Sequence, residues 1–234
     1  MHETSTSTAP VALTVVVIAY NEQECVGPVV AELHCALASA RLDFELVLVD
    51  DGSRDATLLR MHELAATHAG VRVVPLSPNR GIGGALRAGF DAARGDFVTW
   101  TPADGQIAPQ VVLDLYAQRA RAPMLTTVYR SRADAWYRHV ISSGLNRIIR
   151  WRTGQDAKSG GNYLFERGLW QLHAPPADDS MMLSTAFRQR LRQRGVPIVE
   201  VEIAARSRVA GQSKVLNPRT ILRTLAAALK QGRS

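Results

Sequence analysis

Cysteine is scarce: Cys25 and Cys35 are the only two in 234 residues. Both fall in one helix-like segment without C-x-x-C spacing, which leaves no disulfide framework or zinc cluster and fits a reducing cytoplasm. The six histidines are scattered with no H-E-x-x-H, and no G-x-S-x-G occurs, so zinc-peptidase and serine-hydrolase readings have no support. No run approaches the roughly 18 apolar residues of a membrane span. The opening "MHETSTSTAP" has neither the basic nor the apolar region of a signal peptide, and residues 1–10 are expected to form a flexible tail. Aromatics make up only 6% and interleave with no basic platform, so nucleic acid is not an expected partner despite the net charge of +7.

What is present points to a globular α/β domain. With 46% hydrophobic and 21% charged residues, the chain can bury the core of one α/β domain. Its charge is unevenly divided. Through Gln118 there are 7 Lys and Arg against 14 Asp and Glu, and from Arg119 onward 21 against 7. An acidic half beside a basic half suggests a place where a cation and anionic ligands meet, or a face turned to an anionic surface. For the run "FRQRLRQRG", Phe187 to Gly195, the bland alternative is preferred, with Arg188, Arg190, Arg192 and Arg194 on a solvated helix face.

The pattern of apolar runs is regular. "VALTVVVIAY" (11–20), "FELVLVDD" (44–51), "VRVVPL" (71–76), "GDFVTWT" (95–101) and "MLTTVYR" (124–130) are short, β-branched and nearly continuous, as strands buried on both faces should be. Helix-length segments separate them at 24–40, 55–68, 84–93 and 109–119. Strict alternation means β-α-β units and a single, mostly parallel, Rossmann-like sheet flanked by helices. Beyond Arg130 the pattern loosens into a helix over 137–151, a strand-like "GNYLFE", the basic helix, a strand "VPIVEVEIAA" and a last helix. This reads as a mixed second half of the same domain.

In such a sheet ligands collect at the carboxyl ends of the strands. The first strand ends in Tyr20-Asn21-Glu22, the second in Asp50-Asp51-Gly52-Ser53, the third in Asn79-Arg80-Gly81, and the fourth in Pro102-Ala103-Asp104-Gly105-Gln106. Each alone is an ordinary turn, and Asp55 can simply cap a helix; four together mark a site. "GIGGALRAGF" is not a dinucleotide fingerprint, because its third glycine is displaced and it follows the third strand rather than the first.

The set "VVVIAYNEQE", "LVLVDDGSRDAT", "NRGIGGALRAGF", "TPADGQIAP", "SGGNYLF" and "RVAGQSK" resembles, in order and spacing from Leu13 to Val215, the family-two inverting glycosyltransferases of the GT-A fold, most of all the polyprenyl-phosphate sugar transferases of the dolichol-phosphate mannosyltransferase type. The resemblance implies a GT-A domain over 11–216, with a nucleotide-sugar half (11–118) and an acceptor half (119–216), followed by an amphipathic helix over 217–234. It implies that Tyr20, Glu22, Asp50, Asp51, Gly81 and Asp104 hold a UDP- or GDP-sugar, and that Asp104 and Gln106 ligate Mg2+ or Mn2+ through oxygen. Pro102 stands where that family's loop usually has its first aspartate, and Ala19 where it often has proline. With one carboxylate fewer, the metal is expected to bind mainly with the nucleotide diphosphate. The alternative is a metal-independent or inactive member.

On the acceptor side the resemblance assigns Arg130, Arg138, Ser142, Arg208, Ser213 and Lys214 to the acceptor phosphate and diphosphate, and Asp156 matches a further family position. The glycine and serine of "RVAGQSK" suit a lid. A lipid monophosphate has a second pKa near 6, so it needs positioning by groups such as Asp104, Arg130 and Arg138 rather than a base. A hydroxyl acceptor would need a carboxylate, for which Asp178 and Asp179 are the candidates. The glutamate often seen in the phosphate-acceptor group is replaced by Ala186. In the final segment Ile221, Leu222, Leu225 and Leu229 share a face rimmed by Arg219, Arg223, Lys230 and Arg233. Such a helix lies in a membrane interface or docks on its own domain. The expected setting is cytoplasmic and peripheral, on the inner face of the membrane. Transfer to a small-molecule or glycan hydroxyl, and a non-catalytic nucleotide-sugar-binding protein, stay open as alternatives.

Overall fold

The computed structural model describes residues 11–130, 161–176 and 182–204. Strands β1 (Leu13–Ala19), β2 (Phe44–Asp50), β3 (Val71–Pro75), β4 (Phe97–Pro102), β5 (Met124–Arg130), β6 (Tyr163–Glu166) and β7 (Ile198–Ala204) form one sheet in the order β3-β2-β1-β4-β6-β5-β7. All pairings are parallel except those of β6, which runs antiparallel to both β4 and β5. Every residue of β1 is buried, as its unbroken apolar run requires for a strand covered on both faces. The Rossmann-like α/β architecture expected from the alternation is the observed one, with its mixed half beginning at β6.

Helices α1 (Val26–Ser39), α2 (Thr57–Thr67) and α4 (Pro109–Ala117) cover one face, packing on Val15, Val17, Leu46, Leu48 and Leu125. Helix α1 does so with Val26, Val30, Leu33 and Leu37, a stripe repeating every three or four residues. Each buried side chain of this kind contributes about 1.5–3 kcal/mol relative to exposure. Helices α3 (Gly81–Ala92), α5 (Arg167–His173) and α6 (Leu183–Gln193) cover the other face over Val16, Val47, Val98, Met124 and Phe165. There Phe90, Phe165, Trp170 and Phe187 meet edge to face with centroids 5.0–5.2 Å apart, the geometry that aromatic quadrupoles favour.

Three expectations change. Helix α3 begins at Gly81 rather than Gly84, and α5 was not anticipated, because seven residues are too few to show a helical period. The expected solvated face of the basic helix is also corrected. Arg190, Arg192 and Arg194 are partly or fully exposed, but Arg188 is 4% exposed. It follows Phe187 on the packed side and sits 6.0 Å from the Tyr163 ring, its Nε donating to the Ser184 carbonyl at 3.2 Å. The helix at 137–151, the tail at 1–10 and the helix at 217–234 lie outside the described residues.

One end of the sheet is devoted to stability. Glu45, 4% exposed, accepts from the Thr14 hydroxyl and the Arg94 N–H at 2.7 Å each through Oε1, and from Arg72 Nε at 2.9 Å through Oε2. Thr14 Oγ1 in turn accepts from Gly95 N at 2.8 Å. These ties join β1, β2, β3 and the approach to β4 at their amino ends, away from the polar loops.

Close packing fixes α3 on β1. A Cβ at Gly89 would fall 2.2 Å from Val16 Cγ1, which is itself fully buried. Gly89→Ala is therefore expected to cost about 1–3 kcal/mol through overpacking, read as a lower urea midpoint. A cost below measurement error would mean that helix and strand separate freely.

Candidate functional site

The order β3-β2-β1-β4 makes β1 the switch point, where the chain reverses its direction of winding and a crevice opens beyond the carboxyl ends. In register Ala19 faces Asp50 on one side, and Ile18 faces Pro102 on the other. The expected loops therefore converge on this edge.

The loops after β1 and β2 are laced together. Asn21 holds a left-handed backbone, φ 53°. Its N–H donates to Ser53 Oγ at 3.0 Å, and its Oδ1 accepts from Arg54 N at 2.8 Å. Glu22 N donates to Thr57 Oγ1 at 2.8 Å, and Ala56 N donates to Gln23 Oε1 at 2.9 Å. Asp55 accepts from the Thr57 N–H at 3.0 Å, from the Thr57 hydroxyl and from Gln23 N, so it ties the head of α2 to the β1 loop from one residue ahead of the N-cap position, which Ala56 fills. Burial alone would raise the Asp55 carboxyl, but these hydrogen bonds outweigh it and hold the pKa below the usual range. A depressed carboxyl stabilises the fold above its unfolded pKa, near 3.9, and that contribution is lost as pH falls through the folded value. The stability gap between the native chain and Asp55→Ala is thus expected to be full at pH 6 and to close below about pH 4. Urea midpoints across that range check it; a gap independent of pH would mean that Asp55 acts without its charge.

Asp50 is 2% exposed. Its Oδ2 accepts from Ser53 N at 3.2 Å, while Oδ1 is buried without a partner. A buried carboxylate oxygen left unpaired is costly, and Asp50 closes β2 at the edge that bears the polar loops. Asp51 is used differently. Its Oδ1 accepts from Arg80 N at 2.8 Å and its Oδ2 from Asn79 Nδ2 at 2.9 Å, while its carbonyl also takes Asn79 Nδ2 at 2.6 Å. Burial raises its pKa, partly offset by the Arg80 and Gly81 N–H groups. The Asp51 carboxylate therefore holds the Asn79-Arg80-Gly81 loop, and Asn79 is a residue whose part the sequence did not reveal. Gly52, φ 71°, sits between the two: a Cβ there would lie 2.9 Å from Asn79 N, so only glycine lets the β2 and β3 loops touch.

On the other side of β1, Ala103 N donates to the Ile18 carbonyl at 2.9 Å and delivers Asp104 to the crevice. Asp104 Oδ1 accepts from Gln106 N at 3.1 Å, and Oδ2 accepts from the Gln106 amide, with Gly105 at φ 72° turning the loop. Glu22, Cys25 and Asp104 are close neighbours. Burial first, then the Glu22 carboxylate and a hydrogen bond to it, then Glu24 and Asp104, push the Cys25 thiol up. Tyr20 is 39% exposed at the same edge. Gly81, φ 75°, opens α3 there. Arg130 closes β5. Arg138, Ser142, Asp156, Asp178, Asp179, Arg208, Ser213 and Lys214 lie outside the described residues.

A doubly wound sheet with acidic loops gathered at its switch point, and a second half grafted on through an antiparallel strand, defines the GT-A class of fold. The chain belongs to glycosyl transferase family 2, whose sequence model matches residues 14–174. An undecaprenyl-phosphate 4-deoxy-4-formamido-L-arabinose transferase of Enterobacter sp. (strain 638) is 33% identical over 154 residues, 64% of this chain and 46% of that protein. The chain thus spans about half the length of that curated relative. Mannosyl-3-phosphoglycerate synthase from Rubrobacter xylanophilus superposes with a TM-score of 0.72 at 19% identity, covering 94% of this chain and 74% of that one. Glucosyl-3-phosphoglycerate synthase from Mycobacterium tuberculosis, crystallised with Mg2+ and uridine diphosphate, gives 0.68 at 22%, covering 95% and 81%. Both likenesses show the fold. No helix among the described residues is long and apolar enough to cross a membrane.

Proposed function

We propose that the chain transfers a sugar, with inversion, from a nucleoside-diphosphate sugar to a polyprenyl phosphate, working peripherally on the inner face of a membrane. The observation that carries this is the pairing, across β1, of the unpartnered Asp50 Oδ1 with the Asp104-Gln106 loop. Two strand spacings, roughly 10 Å, separate them, a span suited to a base at one end and a diphosphate at the other. Asp50 Oδ1 accepts an N–H of the base, Tyr20 packs beside it, and Glu22 meets the ribose. Asp51 keeps Gly81 in place at the crevice.

Asp104 and Gln106 fit a hard divalent cation in kind, since both offer oxygen, but are few in number. Among the described residues no three His, Cys, Asp or Glu side chains gather as a metal site. The octahedral shell of Mg2+ would be completed by diphosphate and water, so Mg2+ or Mn2+ enters with the donor, as Pro102 in place of a second carboxylate implies. When bound, the cation neutralises charge on the departing diphosphate. The acceptor phosphate oxygen forms a bond to the anomeric carbon as the bond to the nucleoside diphosphate breaks and its electron pair leaves with the diphosphate. β5 ends at Arg130, and β6 begins at Tyr163, paired with Thr126 in the amino half of β5. Arg130, Arg138 and Ser142, with Arg208, Ser213 and Lys214 beyond β7, are assigned to the two phosphates, which arginine forks and a lysine charge suit. The relative acting on undecaprenyl phosphate supports this acceptor.

Release of nucleoside diphosphate from a panel of UDP- and GDP-sugars tests the proposal. Release is expected to require both a short prenyl phosphate and Mg2+ or Mn2+. Release only with hydroxyl acceptors would overturn the phosphate assignment and pass the base role to Asp178 or Asp179. Tight donor binding without turnover would make the protein a nucleotide-sugar binder.

A further inference from the structure

The carboxyl halves of β4 and β5 run the same way with a gap between them. β6 is antiparallel to both and pairs only with their amino halves, Phe97 to Thr99 on β4 and Met124 to Thr126 on β5. Beyond Tyr163, where β6 begins, no strand among the described residues lies between β4 and β5. They stand two strand spacings apart there, roughly 10 Å. The two strands lead to different parts of the proposed site: Asp104 follows Trp100 by four residues, and Arg130 follows Thr127 by three.

Asn162 crosses this gap. It precedes β6 by one residue and is 2% exposed. On the β5 side its carbonyl accepts from the Thr127 N–H at 2.8 Å and from the Thr127 hydroxyl at 3.0 Å. On the β4 side its Nδ2 donates to the Trp100 carbonyl. Gly161 lets the chain press this closely on β5, since a Cβ there would fall 2.2 Å from Thr127 Oγ1 and 2.6 Å from the Thr127 carbonyl oxygen. With the carbonyl of residue 162 taken by β5, a short side chain bearing an amide N–H is what reaches back to β4. The loop beyond β4 is held separately on its other side, where Ala103 N donates to the Ile18 carbonyl of β1. Loss of the bridge therefore frees β5 from β4 without freeing the Asp104 loop from the donor half.

We infer that Asn162 is a positioning residue for the transfer: by tying Trp100 to Thr127 it sets the separation of the Asp104 loop from the end of β5, and with it the approach of the acceptor to the donor's anomeric carbon. This rests on the reaction proposed above and adds a residue that acts through Asp104 and Arg130 rather than on substrate. Attack requires the reacting atoms about 3–3.5 Å apart, and a misplacement of about 1 Å caused by a residue remote from them can cost about a hundredfold in rate.

Comparison of Asn162→Ala with Thr99→Val tests the role. Thr99→Val removes another buried tie from β4, the hydrogen bond of Thr99 Oγ1 to the Tyr163 carbonyl at 2.8 Å, at a level where backbone pairing with β6 remains. Both variants are expected to melt below the native chain. In nucleoside diphosphate release with a short prenyl phosphate, scored per folded molecule, Asn162→Ala is expected to lower kcat about ten- to a hundredfold, with the donor KM and the affinity for UDP and Mn2+ unchanged. Thr99→Val is expected to keep the native kcat. Asn162→Ser, whose hydroxyl is too short to reach Trp100, replaces the alanine variant if that does not fold. Native-state hydrogen exchange reads the same tie without turnover: amides of 101–106 and 127–130 are expected to exchange faster in the Asn162 variant, and those of 13–19 and 44–50 at the native rate. A native kcat in the Asn162 variant, equal losses of kcat in both variants, or exchange that quickens evenly along the chain would each overturn the positioning role and leave the bridge as a contribution to stability alone. If the native chain releases nucleoside diphosphate with no acceptor, the proposed transfer fails, and localised exchange still shows that Asn162 sets the two strand ends.

Discussion

Asp104→Ala is expected to lower nucleoside diphosphate release about a hundred- to a thousandfold, the effect of removing one preorganised group that stabilises charge in the transition state. The large figure follows from how little else is present. Pro102 leaves Asp104 as the loop's only carboxylate, and the amide of Gln106 carries no charge to compensate. Stability should barely move, because the Asp104 carboxylate's two hydrogen bonds both go to Gln106 within its own turn. Donor binding separates the possible causes. With Mn2+ present, UDP affinity should fall in Asp104→Ala; with the metal chelated, native and variant chains should bind UDP alike. Equal affinities under both conditions would remove Asp104 from the cation, and undiminished turnover would remove it from the reaction.

Glu45→Ala has the largest expected effect on the fold. Its carboxylate accepts from Thr14, Arg94 and Arg72 inside the protein, and Arg72 Nη2 also donates to the Ala92 carbonyl at 2.6 Å. Deleting the acid leaves a half-buried guanidinium, a hydroxyl and an N–H without their acceptor. Breaking a buried charge pair from one side costs about 3–5 kcal/mol, or a melting temperature lower by roughly 6–20 °C at this size. Glu45→Gln should fall between, because its amide oxygen still accepts while the charge is gone. Turnover per folded molecule should match the native chain, since this network lies at the end of the sheet opposite the crevice. A loss below about 1 kcal/mol would mean that the ties are surface ion pairs in energy, whatever their burial.

These two residues show what the sequence carried. Strands such as "LTVVVIA" were legible because burial on both faces leaves no polar residue to break the run. The polar strand ends were legible because a buried parallel sheet has few other places for Asp, Asn and Glu. The reversed direction of β6 was not, since neither periodicity nor composition of "YLFE" encodes which way a strand runs. Arg188 misled for a related reason. On a helical wheel it belongs with Arg192, yet it neighbours Phe187 and Leu191 on the packed side, and only the Tyr163 ring and the Ser184 carbonyl beneath it explain a guanidinium there. Asp50 and Asp51 are adjacent and alike in sequence, but one leaves a buried oxygen without a partner and the other spends both on the β3 loop. Alternation of side chains along a strand turns neighbours to opposite faces, and the consequence depends on loops far away in the chain.

The lacing of Asn21, Glu22 and Gln23 to Ser53, Arg54, Ala56 and Thr57 bears on attempts to change donor preference by loop grafting. Each loop supplies side-chain acceptors for the other's backbone N–H groups. A graft of residues 20–23 alone strands the amides of Arg54 and Ala56, and a graft of 51–57 alone strands those of Asn21 and Glu22. The two segments are a single transplantable unit although about thirty residues of helix and strand lie between them, and libraries that randomise them together should yield folded variants where one-loop libraries do not.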